Sequence, residues 1–259
     1  MKKKWIIGIL ALASAVSQAA VFFDNFNRSN TIATNGVASE IGLGYVVTQR
    51  VSVDRVATAR ILNNQIQFNW GGTGSTSPTD LLLMQTNVVL QNSAAGDSFT
   101  VSAGILTHNV DATSLFYGLA FNIQDDGSFY AARIRTGTNA VLQIIRCDAG
   151  GTPTQVALVT NPLGNLVADS IYNLTISSTA PGEITYLLTG ANLGSGLSNT
   201  VNDASLQLSG GYAGLYTTGP NVTPRFDSFG ITTIPEPATI MMLLIGTGVA
   251  FVKRRYSRS

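Results

Sequence analysis

Between Val21 and Thr233, turn-forming residues interrupt the sequence roughly every eight to twelve positions, and no stretch carries a helical apolar period. That rhythm excludes a helix bundle and an α/β sheet, since both need amphipathic helices. Alternation is clear over 64–70, 97–106 and 172–177, so these strands have one face in a core and one in water. Denser apolar runs at 81–90, 115–123 and 140–145 suit strands covered on both faces. Between them lie Asp125-Asp126-Gly127-Ser128, Thr136-Gly137-Thr138-Asn139 and Pro181-Gly182, which supply the positive φ that tight turns need. About a dozen strands joined in this way predict an all-β fold, an antiparallel two-sheet sandwich or jelly roll.

An internal echo adds topology. Phe22-Phe23-Asp24-Asn25-Phe26 near the start is matched by Arg225-Phe226-Asp227-Ser228-Phe229 near the end. If the sandwich sets its first and last strands side by side, Asp24 and Asp227 stand at similar heights.

The formal charge of +1 hides a segregation. All four lysines (Lys2, Lys3, Lys4, Lys253) lie in the tails, with Arg254, Arg255 and Arg258. Residues 20–234 hold eight arginines, no lysine and thirteen acidic residues, a net charge of −5. A surface for phosphate needs clustered Lys and Arg, so nucleic acid is excluded as a partner of this part. Cys147 is the single cysteine, which rules out an intrachain disulfide; it reads as a small buried apolar residue or as one half of an intermolecular bridge.

Both ends carry addresses. Lys2-Lys3-Lys4, the apolar run 5–16 and the small residues Ser17-Gln18-Ala19 form a signal peptide (1–19), cut by signal peptidase between Ala19 and Ala20 after Sec export. At the other end Pro235-Glu236-Pro237 is followed by uncharged residues 238–252 and the basic stop Lys253, Arg254, Arg255 and Arg258. Those fifteen residues make a helix about 22 Å long, against a hydrocarbon core of about 30 Å. Such a transmembrane helix is short for a permanent anchor and adequate for a segment read briefly by a membrane enzyme. The basic end stays in the cytoplasm by the positive-inside rule, which puts the middle on the far side, where the signal peptide also sends it. The two prolines hold Glu236 in extended backbone, the form a protease cleft accepts.

This three-part tail (234–259) closely resembles the PEP-CTERM sorting signal of Gram-negative bacteria. The resemblance implies processing by an exosortase, with Pro235, Glu236 and Pro237 as the recognised residues, and then surface display or release, often linked to exopolysaccharide and biofilm. In the middle (20–233), Phe23-Asp24-Asn25-Phe26-Asn27-Arg28 with Gly42-Leu43-Gly44-Tyr45 resembles the opening of concanavalin A-like (LamG/glucanase-type) jelly rolls. Gly211-Tyr212-Ala213-Gly214-Leu215-Tyr216 and Arg225-Phe226-Asp227-Ser228-Phe229-Gly230-Ile231 are similar to that fold's last two strands. The resemblance implies two curved antiparallel sheets in a family of glycan binders, glycosidases and structural modules.

Catalytic chemistry finds few residues. The glucanases of that family present Glu-x-Asp-x-x-Glu on one strand, whereas Glu40 and Glu183, the glutamates before the tail, lie in no such pattern. His108 is the only histidine and no Gly-x-Ser-x-Gly elbow is present. One His and one Cys are too few for zinc. A structural Ca²⁺ needs only oxygen ligands, which Asp24 with Asp227, or Asp125 with Asp126, would offer; turn capping is their ordinary role. Trp70, Tyr117, Tyr130, Tyr212 and Tyr216 are candidates for a glycan-stacking platform, with core packing the commoner fate of strand aromatics. No regular Thr-x-Thr array runs through the sequence. The sequence therefore predicts a non-enzymatic, exported, exosortase-sorted envelope or matrix protein, structural or adhesive. The alternatives are a carbohydrate-binding module for exopolysaccharide and a divergent glycoside hydrolase.

Overall fold

In the strand Ser98–Thr107 the side chains of Phe99, Val101, Ala103 and Ile105 are buried, while Ser98, Thr100 and Ser102 are half-exposed. The same two-residue period, repeated from strand to strand, builds two sheets whose apolar faces close on one another. The computed structural model describes residues 20–28, 31–32, 45–50, 56–71, 81–92, 97–107, 116–149, 155–218 and 225–234.

The strands are β1 (Ala20–Asp24), β2 (Thr31–Ile32), β3 (Tyr45–Arg50), β4 (Val56–Leu62), β5 (Gln65–Gly71), β6 (Leu81–Val89), β7 (Ser98–Thr107) and β8 (Phe116–Ile123), followed by β9 (Phe129–Arg135), β10 (Ala140–Cys147), β11 (Gln155–Gly164), β12 (Ser170–Ser178), β13 (Glu183–Thr189), β14 (Leu197–Asn202), β15 (Tyr212–Thr218) and β16 (Arg225–Ile234). Sheet one runs β14-β13-β12-β7-β16-β5-β4-β2, with β1 also on β16; sheet two runs β11-β10-β9-β8-β15-β6-β3. Every pairing is antiparallel. Sixteen strands among the described residues exceed the expected dozen, because short strands such as β2 leave little trace in a sequence. Among the described residues no helix is long and apolar enough to cross a membrane. The expected signal peptide and the 238–252 helix lie outside them.

The turns sit where the sequence places them. Gly127, Gly137 and Gly182 all adopt positive φ between paired strands, and Asp126 caps the Ser128 N–H at 2.8 Å. The first and last strands do pair, with Phe22 opposite Ile231 and Asp24 opposite Phe229. Inside the sandwich Phe22 makes edge contacts with Tyr45 and Phe229 at centroid distances of 5.4 and 5.8 Å, and Phe68 meets Phe226 at 5.7 Å.

Two buried carboxylates tie the sheets together. Asp24, on β1 of sheet one, accepts the Tyr45 hydroxyl of sheet two at 2.9 Å, the Phe26 N–H at 2.8 Å and both terminal nitrogens of Arg28 at 2.8 and 2.6 Å. The N–H bond helps to hold Phe26 at φ 56, a region costly for a bulky residue. Asp203, just past β14, accepts Arg146 Nη1 of β10 at 3.0 and 2.9 Å and lies 3.1 Å from the Tyr130 hydroxyl of β9. Arg146 also engages Asp148 and the Ser205 hydroxyl, and Tyr130 accepts the Leu208 N–H, so the chain leaving β14 is laced to sheet two.

Burial alone would raise the Asp203 pKa; hydrogen bonds from Arg146 and Ser205 outweigh it and hold the group down at about 2. A depressed folded-state pKa stabilises the fold above the unfolded value and loses that contribution as pH falls. The urea midpoint is therefore expected to drop between about pH 4 and about pH 2. Arg146→Ala, which strands the buried carboxylate, is expected to cost about 3–5 kcal/mol at neutral pH in the same measurement.

Candidate functional site

The two outer faces of the sandwich differ in chemistry. On sheet two the outer face is largely closed: Ala120, Ile123, Phe129, Ala131, Ile145, Cys147 and Tyr216 form a second buried cluster. Arg133 crosses it, donating to Gln143 Oε1 at 3.1 and 3.0 Å and to the Tyr216 hydroxyl at 3.0 Å, with its guanidinium 4.0 Å from the centre of the Phe116 ring. Burial pushes the Tyr216 phenol up to about 12, Arg133 opposing this, so the ring stays neutral and acts as an acceptor for Arg133. Gly118 stands between Arg133 and Tyr216 in the register; a Cβ there would come within 2.9 Å of Arg133 Cα and closer still to the Ala132 carbonyl.

On sheet one the outer face is open, and its central rows are uncharged. Cross-strand register aligns Thr232 (β16), Thr100 (β7), Ser177 (β12), Thr185 (β13) and Thr200 (β14) in one row, with Val21 of β1 at its end. A second row reads Phe23, Gly230, Ser102, Thr175, Leu187 and Ser198, and a third reads Ser228, Gly104, Asn173 and Thr189. Adjacent strands set neighbours about 4.8 Å apart, and alternate residues repeat at about 6.7 Å along each strand. The Thr185 and Thr200 hydroxyls bond to each other at 2.8 Å. Among the described residues the charges of this face stand at its margins: Glu183 beside Asn202, Asp227 in the bulge between Phe226 and Ser228, and Arg225 opposite Leu106 in the row beyond the third; no lysine or arginine interrupts the three rows.

Asp24 points into the core and is held by Arg28, whereas Asp227 lies on the outer face near Gly104, so the strand pairing brings these two calcium candidates close in register on opposite faces. Asp125 and Asp126 are exposed turn residues, Asp126 capping Ser128. Tyr117 and Tyr130 are core residues at 1 % and 0 % exposure, which leaves no ring face for a sugar; Tyr216 is buried under Arg133 and Tyr212 is half-buried. Trp70 stands on β5 opposite Ala57. Cys147 is a buried thiol at the end of β10. His108, Glu40 and Pro235-Glu236-Pro237 lie outside the described residues.

Among the described residues no three His, Cys, Asp or Glu side chains are grouped to hold a metal. A pocket of about 200 Å³ at the β9–β10 turn, lined by Arg135, Thr136, Gly137, Thr138 and Asn139, is smaller than the 300 Å³ or so of a small-molecule site. The hydroxyl rows are a feature that the sequence pattern does not reveal. Each strand contributes one or two ordinary Ser or Thr residues, and only the register lines them up.

Residues 233–259 match the PEP-CTERM protein-sorting motif. The chain carries an export and exosortase-sorting signal of Gram-negative bacteria. Its β domain is similar in fold to a carbohydrate-binding module (CBM2) of the evolved Dit of Lactobacillus casei BL23 phage J-1, at 12% identity and a TM-score of 0.50, over 85% of this chain and 99% of that one. The carbohydrate-binding module CBM66 of Bacillus subtilis matches at 12% identity and a TM-score of 0.44, over 70% of this chain and 91% of that one. An endo-1,3-beta-glucanase of Streptomyces sioyaensis matches at 11% and 0.45, over 83% and 96%. At 12% identity the likeness to the CBM2 module is one of fold alone, an antiparallel two-sheet jelly roll. No curated protein matches the sequence.

A cation at Asp24 would have to displace the Arg28 guanidinium and the Tyr45 hydroxyl. Thermal melts in millimolar Ca²⁺ and in chelator are therefore expected to superimpose, and a chelator-sensitive midpoint would show calcium bound elsewhere.

Proposed function

We propose that this is a non-enzymatic adhesive module that an exosortase-type enzyme delivers to the cell surface or extracellular matrix, where the outer face of sheet one contacts neutral polysaccharide. The observation that supports it is the face itself: three rows made mainly of hydroxyl and amide side chains, with Val21, Phe23 and Leu187 as apolar members and no basic group among them. Three of the eight arginines of residues 20–234 are engaged inside the fold. Arg28 and Asp24, and Arg146 with Asp148 and Asp203, are consumed in internal ion pairs, and Arg133 serves Gln143 and Tyr216.

A hydroxyl-to-hydroxyl contact exchanges bonds already made with water, so each is worth only about 0.5–1.5 kcal/mol net. Rows spanning five strands and many copies on one surface multiply such contacts without any deep pocket. Adhesion of this kind is weak per molecule and insensitive to salt, because no ion pair with the ligand is involved. Among the buried carboxylates, Asp24 is ion-paired with Arg28, and Asp203 is paired with Arg146 and held below the usual carboxylate range, which makes it a poor proton donor at neutral pH.

Purified mature protein is expected to co-sediment with an insoluble neutral β-glucan equally at about 50 mM and about 500 mM NaCl, and not with alginate. Thr100→Asp combined with Ser177→Asp, which charges the middle of the first row, is expected to weaken that binding about ten-fold or more. Co-sedimentation unchanged by the double substitution would remove the face from the reading. For the sorting step, the mass of protein recovered from the cell surface is expected to place the C-terminus near Pro235–Pro237; a surface protein that still ends at Ser259 would exclude processing.

A further inference from the structure

Three large apolar side chains stand out of sheet one where its two chain ends meet. Val21, Phe23 and Ile234 are 53 %, 45 % and 49 % exposed. Val21 lies opposite Thr232, Phe23 opposite Gly230 and Ile234 opposite Ser98, all on the outer face. The Phe23 ring is laid over Gly230, its Cδ2 3.5 Å from the place a Cβ would take, so the ring is fixed in position yet open to solvent. The other exposed apolar residues of this face, Ile171 on β12 and Leu187 on β13, stand two and three strands away from β16.

The location of the patch is what gives it meaning. The sorting motif covers 233–259, while β16 continues to Ile234. Thr233 and Ile234 therefore belong both to the motif and to the folded sheet, Thr233 paired with Ala20 and with Phe99, Ile234 with Ser98. Pro235 follows with no spacer. An enzyme bound at Pro235-Glu236-Pro237 works within a few residues of the end of β16, where Ile234 stands and beside which β1 places Val21 and Phe23.

We propose that this patch is the docking surface by which the processing enzyme holds the folded domain while it reads Pro235-Glu236-Pro237. The inference rests on the sorting reading given above. A protein partner is favoured over lipid by charge: residues 20–234 carry a net −5 and no lysine, whereas lipid-binding faces surround their apolar residues with Lys and Arg. Three side chains make a small contact, of the transient kind that an enzyme needs in order to release its product.

The test follows processing in the native host by pulse-chase and intact mass. It compares the wild-type chain, Val21→Ser with Phe23→Ser, Phe23→Thr alone, and Ile171→Ser with Leu187→Ser as the control. Val21 and Phe23 are far from the motif in sequence, so their replacement leaves its residues intact. Exposed positions change stability by only about 0.5 kcal/mol or less, and urea midpoints of the recovered chains verify this. The expected result is processing slowed several-fold in both Phe23 variants, at unchanged midpoint, with the control at the wild-type rate. Wild-type rates in all variants would overturn the docking surface and leave the sorting reading standing. A wild-type chain that is never shortened would overturn the sorting reading itself. If the mature protein binds phosphatidylglycerol vesicles and Phe23→Ser abolishes that binding while processing is unchanged, the patch serves lipid and the proposal fails.

Discussion

The arrangement depends on two carboxylates that are almost wholly withdrawn from water. A sandwich without a disulfide has its apolar core to hold the sheets together, and apolar contact is non-directional: it favours burial without fixing how one sheet sits on the other. Asp24 and Asp203 supply direction. Asp24 links the first strand of sheet one to Tyr45 at the β3 edge of sheet two, and Asp203 links the end of β14 to Arg146 and Tyr130 on β10 and β9. Each carboxylate is costly to bury, and each is tolerated because an arginine and a phenol satisfy it. The locks thus fix the stagger of the sheets, which an all-apolar interface would leave loosely specified.

The same economy shapes the surface. Only 11% of the residues are charged, and Arg28 and Arg146 are committed to internal pairs. Most outward positions of β7, β12 and β13 are filled instead by Ser, Thr and Asn, which carry no net charge, and Thr in particular suits a strand. An uncharged face has low affinity for ions and nucleic acid, and it loses little when it lies against a neutral polyol that returns its hydrogen bonds. The contrast with sheet two is direct, since its outer face is already covered and its one prominent cation, Arg133, is satisfied within the protein.

The period of two makes the fold class legible: Phe99, Val101, Ala103 and Ile105 declare an inner face by their spacing alone. Asp126-Gly127 and Pro181-Gly182 announce their turns by backbone chemistry, and the echo between 22–26 and 225–229 announces that the ends are neighbours. Asn63-Asn64 is less obvious; both residues adopt positive φ and turn β4 into β5, a role more often given to Asn-Gly. What the sequence hides is everything that depends on register. Thr100, Ser177, Thr185 and Thr232 are ordinary residues in their own strands, and Arg146 finds Asp203 across 57 residues. The direction of Tyr117 and Tyr130 is hidden for the same reason, since one step of register exchanges a core ring for a surface ring.

Register also explains why address and fold are joined in this chain. The last strand of a sandwich must be paired on both sides or it frays, and β16 is flanked by β7 on one side and by β1 and β5 on the other. Its pairing runs to the last residue before Pro235, and proline cannot continue the ladder because it lacks an N–H. The described ladder ends at Ile234, and the motif's first proline follows it directly. On the docking proposal the enzyme finds its surface only when β16 is in its place between β7 and β1, because an unfolded chain offers no fixed surface beside the motif. On that proposal the folded domain, rather than the bare tail, is the object that is sorted.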